Sequence, residues 1–333
     1  MKAYFINRYG KSDVLTSGDL PEPALRDDDV LVQIHAAGVN PLDNKIRAGE
    51  FKLLLPYKMP LILGNDLAGV VVRVGARVRR FKAGDEVYAR PDDDRIGTFA
   101  EFIAVKEDSL ALKPANLSMV DAASIPLVAL TAWQTLVEKG RLQKGQKVMI
   151  HAGSGGVGTM AIQLARHIGA TVATTASAAN ADMLKGLGAD IVIDYRKEDF
   201  STRLKDYDLV LDTQGGNTLK KSLSVLKPGG KLIGIAGPPD PDFARQRGTN
   251  GLVRLMMRLL SYGIRRAARR SGASYSFHFM TANGRQLGEI TRLIEAGHIR
   301  PVVDRVFPFE DARQALDYVE TGRAKGKVVI KVR

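Results

Sequence analysis

Residues 147–168 constrain this chain more than any other stretch. An apolar run, Lys147–Ile150, leads into His151-Ala-Gly-Ser-Gly-Gly-Val-Gly158, and residues 159–168 then carry apolar side chains at helical spacing. This is a full G-x-G-x-x-G on a strand-to-helix turn. In that setting Gly153 makes the tight turn, Gly155 lets backbone approach a pyrophosphate, and Gly158 lets the helix pack on the strand. The first amides of the helix then face the phosphates. A tight turn without a ligand would use similar residues, so the flanking strand and helix carry the reading. Gly153, Ser154, Gly155, Gly156, Val157 and Gly158 are the candidate dinucleotide contacts.

The neighbouring sequence repeats the rhythm. Apolar strand segments recur at 148–152, 171–175, 191–194, 209–212 and 231–236, with helical spacing at 159–168, 181–187 and 219–226. Strands alternating with helices predict βαβ units and a parallel sheet. Ligand contacts then fall at strand carboxyl ends, which brings in Thr213 and Gln214 after the fourth strand and Ala236 and Gly237 after the fifth.

A site that prefers NADH carries Asp or Glu about 20 residues beyond the glycines, where it holds the ribose hydroxyls. This chain has Thr174-Thr-Ala-Ser-Ala-Ala-Asn180 there, and its first acid is Asp182. A carboxylate would repel a 2′-phosphate, so its absence favours NADPH. Thr175 and Ser177 supply hydroxyls, and Tyr195, Arg196 and Lys197 follow the third strand near the same corner.

The first third is β-rich: residues 30–35 alternate, 68–74 form a second strand ending at Gly75, and further strands follow Ala83-Gly84-Asp85 and span 99–105. Short strands with Gly and Pro punctuation predict a partly open barrel or sandwich. The 333 residues are enough for two domains. The absence of cysteine excludes disulfides and thiolate zinc sites. No apolar run reaches the roughly 18 residues of a membrane span. The opening residues turn polar too soon for a signal peptide, which predicts a cytosolic protein.

Together these segments resemble the medium-chain dehydrogenase/reductase superfamily, specifically its zinc-free quinone oxidoreductase and alkenal/enone oxidoreductase branch. The resemblance runs through Ala37-Gly-Val-Asn-Pro-Leu-Asp43, Gly64-Asn-Asp-Leu-Ala-Gly69, Gly84-Asp-Glu-Val-Tyr88, Ile125-Pro-Leu-Val-Ala-Leu-Thr131 and Gly155-Gly-Val-Gly158. It continues in Leu187-Gly-Ala-Asp190, Ile193-Asp-Tyr195, Pro228-Gly-Gly230 and Gly326-Lys-Val-Val329. It implies an α/β fold in which a GroES-like β-rich catalytic domain (1–121 and 271–333) surrounds a Rossmann doubly wound parallel sheet (122–270). It also implies a homodimer paired through that sheet.

Zinc-dependent members of the superfamily carry a Cys near position 40 and a Gly-His-Glu motif near position 64. Here Asn40 and Gly64-Asn65-Asp66 stand at those places, and the four-cysteine lobe is missing between Tyr88 and Phe99. The expected reaction is therefore hydride transfer without a metal, to an acceptor activated by conjugation: an enone, a 2-alkenal or a quinone. Asn40 is the candidate donor to the substrate carbonyl. Asp43 orients Lys45 or the loop backbone, and Tyr57 is a second donor or a packing residue. The resemblance places Thr131 beside the nicotinamide, and Lys327 is a candidate contact to cofactor phosphates. His151 and His278 have no partner in the sequence and read as packing or surface residues.

Lys and Arg exceed Asp and Glu by 49 to 36, a surface that attracts anions of any kind. Eight arginines gather between 245 and 270, interleaved with Leu252, Leu255, Met256, Leu259 and Leu260 at helical spacing. The plain expectation is a helix with its apolar stripe packed on the protein and its arginines in water. A lid, a membrane-surface helix and an RNA-contacting patch are the competing readings. A quinone reductase proper is the close alternative function. A non-enzymatic NADPH-responsive nucleic-acid binder is the alternative from another class, although no nucleic-acid motif is visible and no nucleic-acid partner is expected.

Overall fold

A computed structural model describes residues 1–52 and 54–333. They form two compact units, Met1–Leu130 with Thr281–Arg333, and Thr131–Met280.

The second unit is built on a six-stranded sheet whose neighbouring strands are all parallel. From edge to edge the strands are Ile191–Asp194, Thr171–Ala176, Lys147–Ile150, Tyr207–Asp212, Leu226–Gly234 and Ser274–Phe277. Counted along the chain, that order is 3-2-1-4-5-6, the doubly wound arrangement. Val148, Met149 and Ile150 are all fully buried. Such a continuous apolar run belongs to a central strand covered on both faces. The sixth strand corrects the expected domain boundary at 270. Ser274–Phe277 pairs in parallel with Leu226–Gly234, Lys231 opposite Ser274 and Gly234 opposite Phe277, so residues up to Met280 belong to the parallel-sheet unit. The boundary expected at 121/122 likewise moves to Leu130, because the helix Met119–Ala123 packs on Asp29–Val39 and Asp66–Val74.

The first unit holds a three-stranded antiparallel sheet and a seven-stranded, mainly antiparallel one. The eleven-residue strand Asp29–Val39 is central to the larger sheet, with Asp66–Val74, Phe102–Lys106 and the C-terminal Lys327–Lys331 as neighbours. It serves two cores. Val30, Val32 and Ile34 pack with Leu67, Val71 and Leu110, whereas Ala37 and Val39 pack with Ile46, Leu316 and Val328. The switch from even to odd positions coincides with a register shift between Ile34 and Ala36, since one extra residue turns every later side chain to the other face.

Candidate functional site

In the parallel-sheet unit the glycine-rich loop joins Lys147–Ile150 to the helix Gly156–Ile168, with Gly155 as N-cap residue. A Cβ on Gly153 would lie 2.1 Å from the Thr174 hydroxyl oxygen, and one on Gly158 would lie 2.5 Å from the Ala152 carbonyl oxygen. The fold itself requires those two glycines. A Cβ on Gly155 would meet only the Ala152 oxygen, at 3.4 Å, an ordinary contact. Among the described residues nothing requires the middle glycine, which leaves room for a close approach from outside. The first amides of the helix point out beside it, as helix geometry demands. A cradle that a side chain at Gly155 would fill fits a pyrophosphate.

The residues around the cradle divide into engaged and open ones. Thr175 was expected to offer a hydroxyl to the cofactor; it is buried instead, and its oxygen accepts the Ala152 N–H at 3.1 Å. That bond supports Ala152, which has a positive φ of 52°. Ser177 stays half-buried at the end of the second strand and accepts from the Asn180 amide. Ala176 sits opposite Asp194, so Tyr195 and Arg196 emerge at the same corner, with the Arg196 guanidinium 5.7 Å from the Tyr195 ring centre. Asp194 accepts the Arg196 N–H and shapes that turn.

At the fourth strand end, Asp212 accepts from the amides of Gln214 and Gly215, and burial pushes its carboxyl up to about 6. The Thr213 hydroxyl donates to the His151 carbonyl oxygen, and Gln214 is exposed. Ala236 is exposed; Gly237 is small because a Cβ there would lie 2.5 Å from the Tyr275 hydroxyl. Thr131 is buried, and its carbonyl accepts from the Thr135 hydroxyl.

Both histidines lie inside this unit. His151 Nε2 sits 2.9 Å from the Ser222 hydroxyl, and His278 Nε2 sits 3.1 Å from the Gln134 amide oxygen. Burial pulls them down to about 4 and about 3, so both are neutral at physiological pH.

The first unit gathers Asn40, Asp43, Asn65, Asp66 and Lys327, each at most 3% exposed. The Asp66 Oδ2 accepts from Asn40 Nδ2 at 2.8 Å and from Lys327 Nζ at 3.0 Å, while its Oδ1 accepts the Leu127 N–H at 2.6 Å. Lys327 Nζ also donates to the Asn40 amide oxygen and, at 3.1 Å, to the Val39 carbonyl. Its three protons are thereby taken up within the protein, where the sequence led to an expectation of contact with cofactor phosphates. Asn40 is engaged in the same network: its amide nitrogen donates to Asp66 and its amide oxygen accepts from Lys327.

Asp43 heads the helix Pro41–Ala48 at its third position, where its Oδ2 accepts the Asn40 N–H and its Oδ1 accepts from Asn65, both at 2.7 Å. It orients the loop backbone. It does not orient Lys45, which is exposed and loosely paired with Glu50 at 3.9 Å. Burial raises the Asp43 carboxyl to about 7 despite those donors. Tyr57 packs against the adjoining core, and its hydroxyl donates to the Asp93 carbonyl at 2.7 Å.

Asp66 and Asn65 were legible only as departures from a zinc motif, and their partnership with Lys327 spans 261 positions. That donor set does not fit zinc. Two carboxamides and a carboxylate already satisfied by an ammonium group are not the thiolate and imidazole ligands the ion takes.

Two sequence families match the chain: "Alcohol dehydrogenase GroES-like domain" over residues 26–115 and "Zinc-binding dehydrogenase" over 187–330. The chain is 36% identical to the mitochondrial NAD(P)H oxidoreductase RTN4IP1 of Danio rerio, covering 100% of this chain and 91% of that one. It is also 36% identical to the chloroplastic NADPH-dependent alkenal/one oxidoreductase of Arabidopsis thaliana, over 99% of this chain and 79% of that one. Its structure matches the quinone oxidoreductase from Coxiella burnetii with a TM-score of 0.88 and 32% identity, over 100% and 99% of the two chains. The chain belongs to the medium-chain dehydrogenase/reductase superfamily, among its quinone oxidoreductase-like and alkenal/enone reductase members.

Proposed function

We propose that this protein is a metal-independent, NADPH-dependent reductase of enones, 2-alkenals or quinones. The observation that carries it is the Gly155 cradle, whose open middle position serves a dinucleotide, next to a second-strand corner with Ser177 and Arg196 and no acid on that strand. Bound NADPH supplies a hydride, and the electron pair displaced from the enone double bond moves onto the carbonyl oxygen. Gly153–Gly158 and the helix amides hold the pyrophosphate, Ser177, Tyr195 and Arg196 take the 2′-phosphate, and Thr131, Thr213, Gln214, Ala236 and Gly237 border the remainder. Asn40, Asp43, Asn65, Asp66 and Lys327 act as positioning residues that fix the loop where zinc-dependent members bind their metal. Asn40, Asp43 and Tyr57 have their polar atoms engaged inside the unit, and Lys45 stands out in solvent. The proton that completes reduction at the α-carbon therefore comes from water.

Reading the assembly in the same way gives a homodimer joined at the open edge of the parallel sheet, Ser274–Phe277, and a cytoplasmic location. Among the described residues, no helix is long and apolar enough to cross a membrane.

The test compares Gly155→Ala with Gly153→Ala. The Gly155 variant should melt within about 1 kcal/mol of the parent, because its new methyl meets only one ordinary contact. It should bind NADPH about 10- to 100-fold more weakly, a loss of about 1.4–2.7 kcal/mol. Gly153→Ala should destabilise the unit. NADPH affinity unchanged in Gly155→Ala would remove the cradle from the account.

A further inference from the structure

The segment from Asp240 to Arg270 has no part in the chemistry above, and its structure corrects the plain expectation for it. The helix Gly251–Leu260, started by Asn250 accepting the Val253 N–H, buries Met257 on the protein. Leu252, Leu255, Met256, Leu259 and Leu260 lie between 48% and 68% exposed. The first four fall at i, i+3, i+4 and i+7, one continuous outward stripe. The next helix, Tyr262–Arg270, buries Ile264 and Ala268 and turns Arg266, Arg269 and Arg270 outward with Tyr262. An apolar face thus adjoins a basic one.

Between the helices and the end of the sheet lies a cavity of about 550 Å³ lined by Arg254, Leu255, Arg258 and Arg265 among others. Asp240 and Asp242 also line it, but both are occupied: Asp240 accepts the Phe243 and Phe277 amides, and Asp242 pairs with Arg245. From Phe243 to Gly288 the sequence contains no Asp or Glu. The surface of the two helices is therefore complementary to negative charge.

We propose that this helix pair docks on the surface of a bilayer containing anionic phospholipid. The leucine stripe enters the headgroup–acyl boundary, and the arginines of the second helix and of the cavity take lipid phosphates. An amphipathic helix with an apolar stripe and a basic face binds such interfaces by both effects together. A second copy of the chain fits less well, because no acids lie between Phe243 and Arg270 to meet its arginines. RNA fits less well too: single strands are held by aromatic stacking, and Tyr262 is the only aromatic residue in the two helices.

The experiment uses the full chain and vesicles of phosphatidylcholine, alone or mixed with phosphatidylglycerol, with sedimentation at low and high salt. The protein should sediment with the anionic vesicles, only weakly with the neutral ones, and less at high salt. Leu255→Glu with Leu259→Glu, and separately Arg266→Glu with Arg270→Glu, should each lower partitioning by about tenfold or more. Both variants should keep the parent's melting temperature and NADPH affinity, which establishes that they are folded. Equal binding to neutral vesicles, or unchanged partitioning of either folded variant, overturns the proposal. So does absence of vesicle binding, whether accompanied by an RNA gel shift that the arginine variant loses or by a dimer that the leucine variant dissociates.

Discussion

Lys327→Met isolates the buried ion pair of the catalytic unit. Methionine keeps the aliphatic stem and removes the ammonium group, so packing in the Lys327–Lys331 strand is largely preserved. The Asp66 Oδ2 loses its partner at 3.0 Å, and the Asn40 amide oxygen and the Val39 carbonyl lose a donor, all where solvent cannot replace it. Removing one member of a buried pair costs about 3–5 kcal/mol. Asp66 still accepts from Asn40 Nδ2 and from the Leu127 amide, so the low end, about 3 kcal/mol, is expected.

For a unit of this size that is a fall of roughly 6–12 °C in its melting temperature. Calorimetry, with hydrogen exchange of the Asp66–Val74 and Lys327–Lys331 strands, reads the effect on this unit. Fluorescence of Trp133, the chain's single tryptophan, follows the other unit and should not move. Asp66→Asn combined with Lys327→Met should cost less than the sum of the two single changes, because neither charge is then left alone. NADPH affinity should be unchanged. A Lys327→Met protein as stable as the parent, with NADPH binding weakened about tenfold, would instead assign Lys327 to the cofactor phosphates.

Three further outcomes follow from the geometry. Ser177→Asp places a carboxylate at the second-strand corner and should weaken NADPH binding about tenfold or more, with NADH changed less than about threefold, measured by fluorescence titration. Because burial raises Asp43 from about 4 when unfolded to about 7 when folded, the folded unit binds the proton more tightly. Its contribution is present at low pH and is lost as pH rises through 7, by at most about 4 kcal/mol. Asp43→Asn should flatten that slope in pH-dependent melting. His151 and His278 act oppositely, since their folded values lie below about 6.5. The parallel-sheet unit should lose stability as pH falls from there through about 4 and about 3, partly offset by Asp212, and His278→Gln should weaken the dependence.

What could be read from the sequence was local or periodic. The glycine loop was legible because close packing, against the Thr174 side chain at Gly153 and against backbone at Gly158, leaves no room for a side chain there. The central strands were legible because burial on both faces demands continuous apolar runs. Ser274–Phe277 escaped because a short edge strand alternating serine and aromatic residues carries little signal, and its pairing with Leu226–Gly234 closes a long loop. The Asn40–Asp66–Lys327 cluster escaped because its bonds span 26, 261 and 287 positions, so no local signal tells that the Asn40 amide turns inward. Helical spacing in 251–260 predicted an apolar stripe correctly. Periodicity does not say which side meets the protein, and the structure buries Met257 beside the stripe rather than the stripe itself.

The most direct measurement is the loss of reduced-nicotinamide absorbance when the purified protein meets a panel of 2-alkenals, enones and quinones, with NADPH or NADH and with or without chelator. NADPH-preferring turnover of a conjugated acceptor, at the same rate in chelator, is the expected result. Activity abolished by chelator and restored by zinc would contradict it, as would tight NADPH binding with no turnover of any acceptor in the panel.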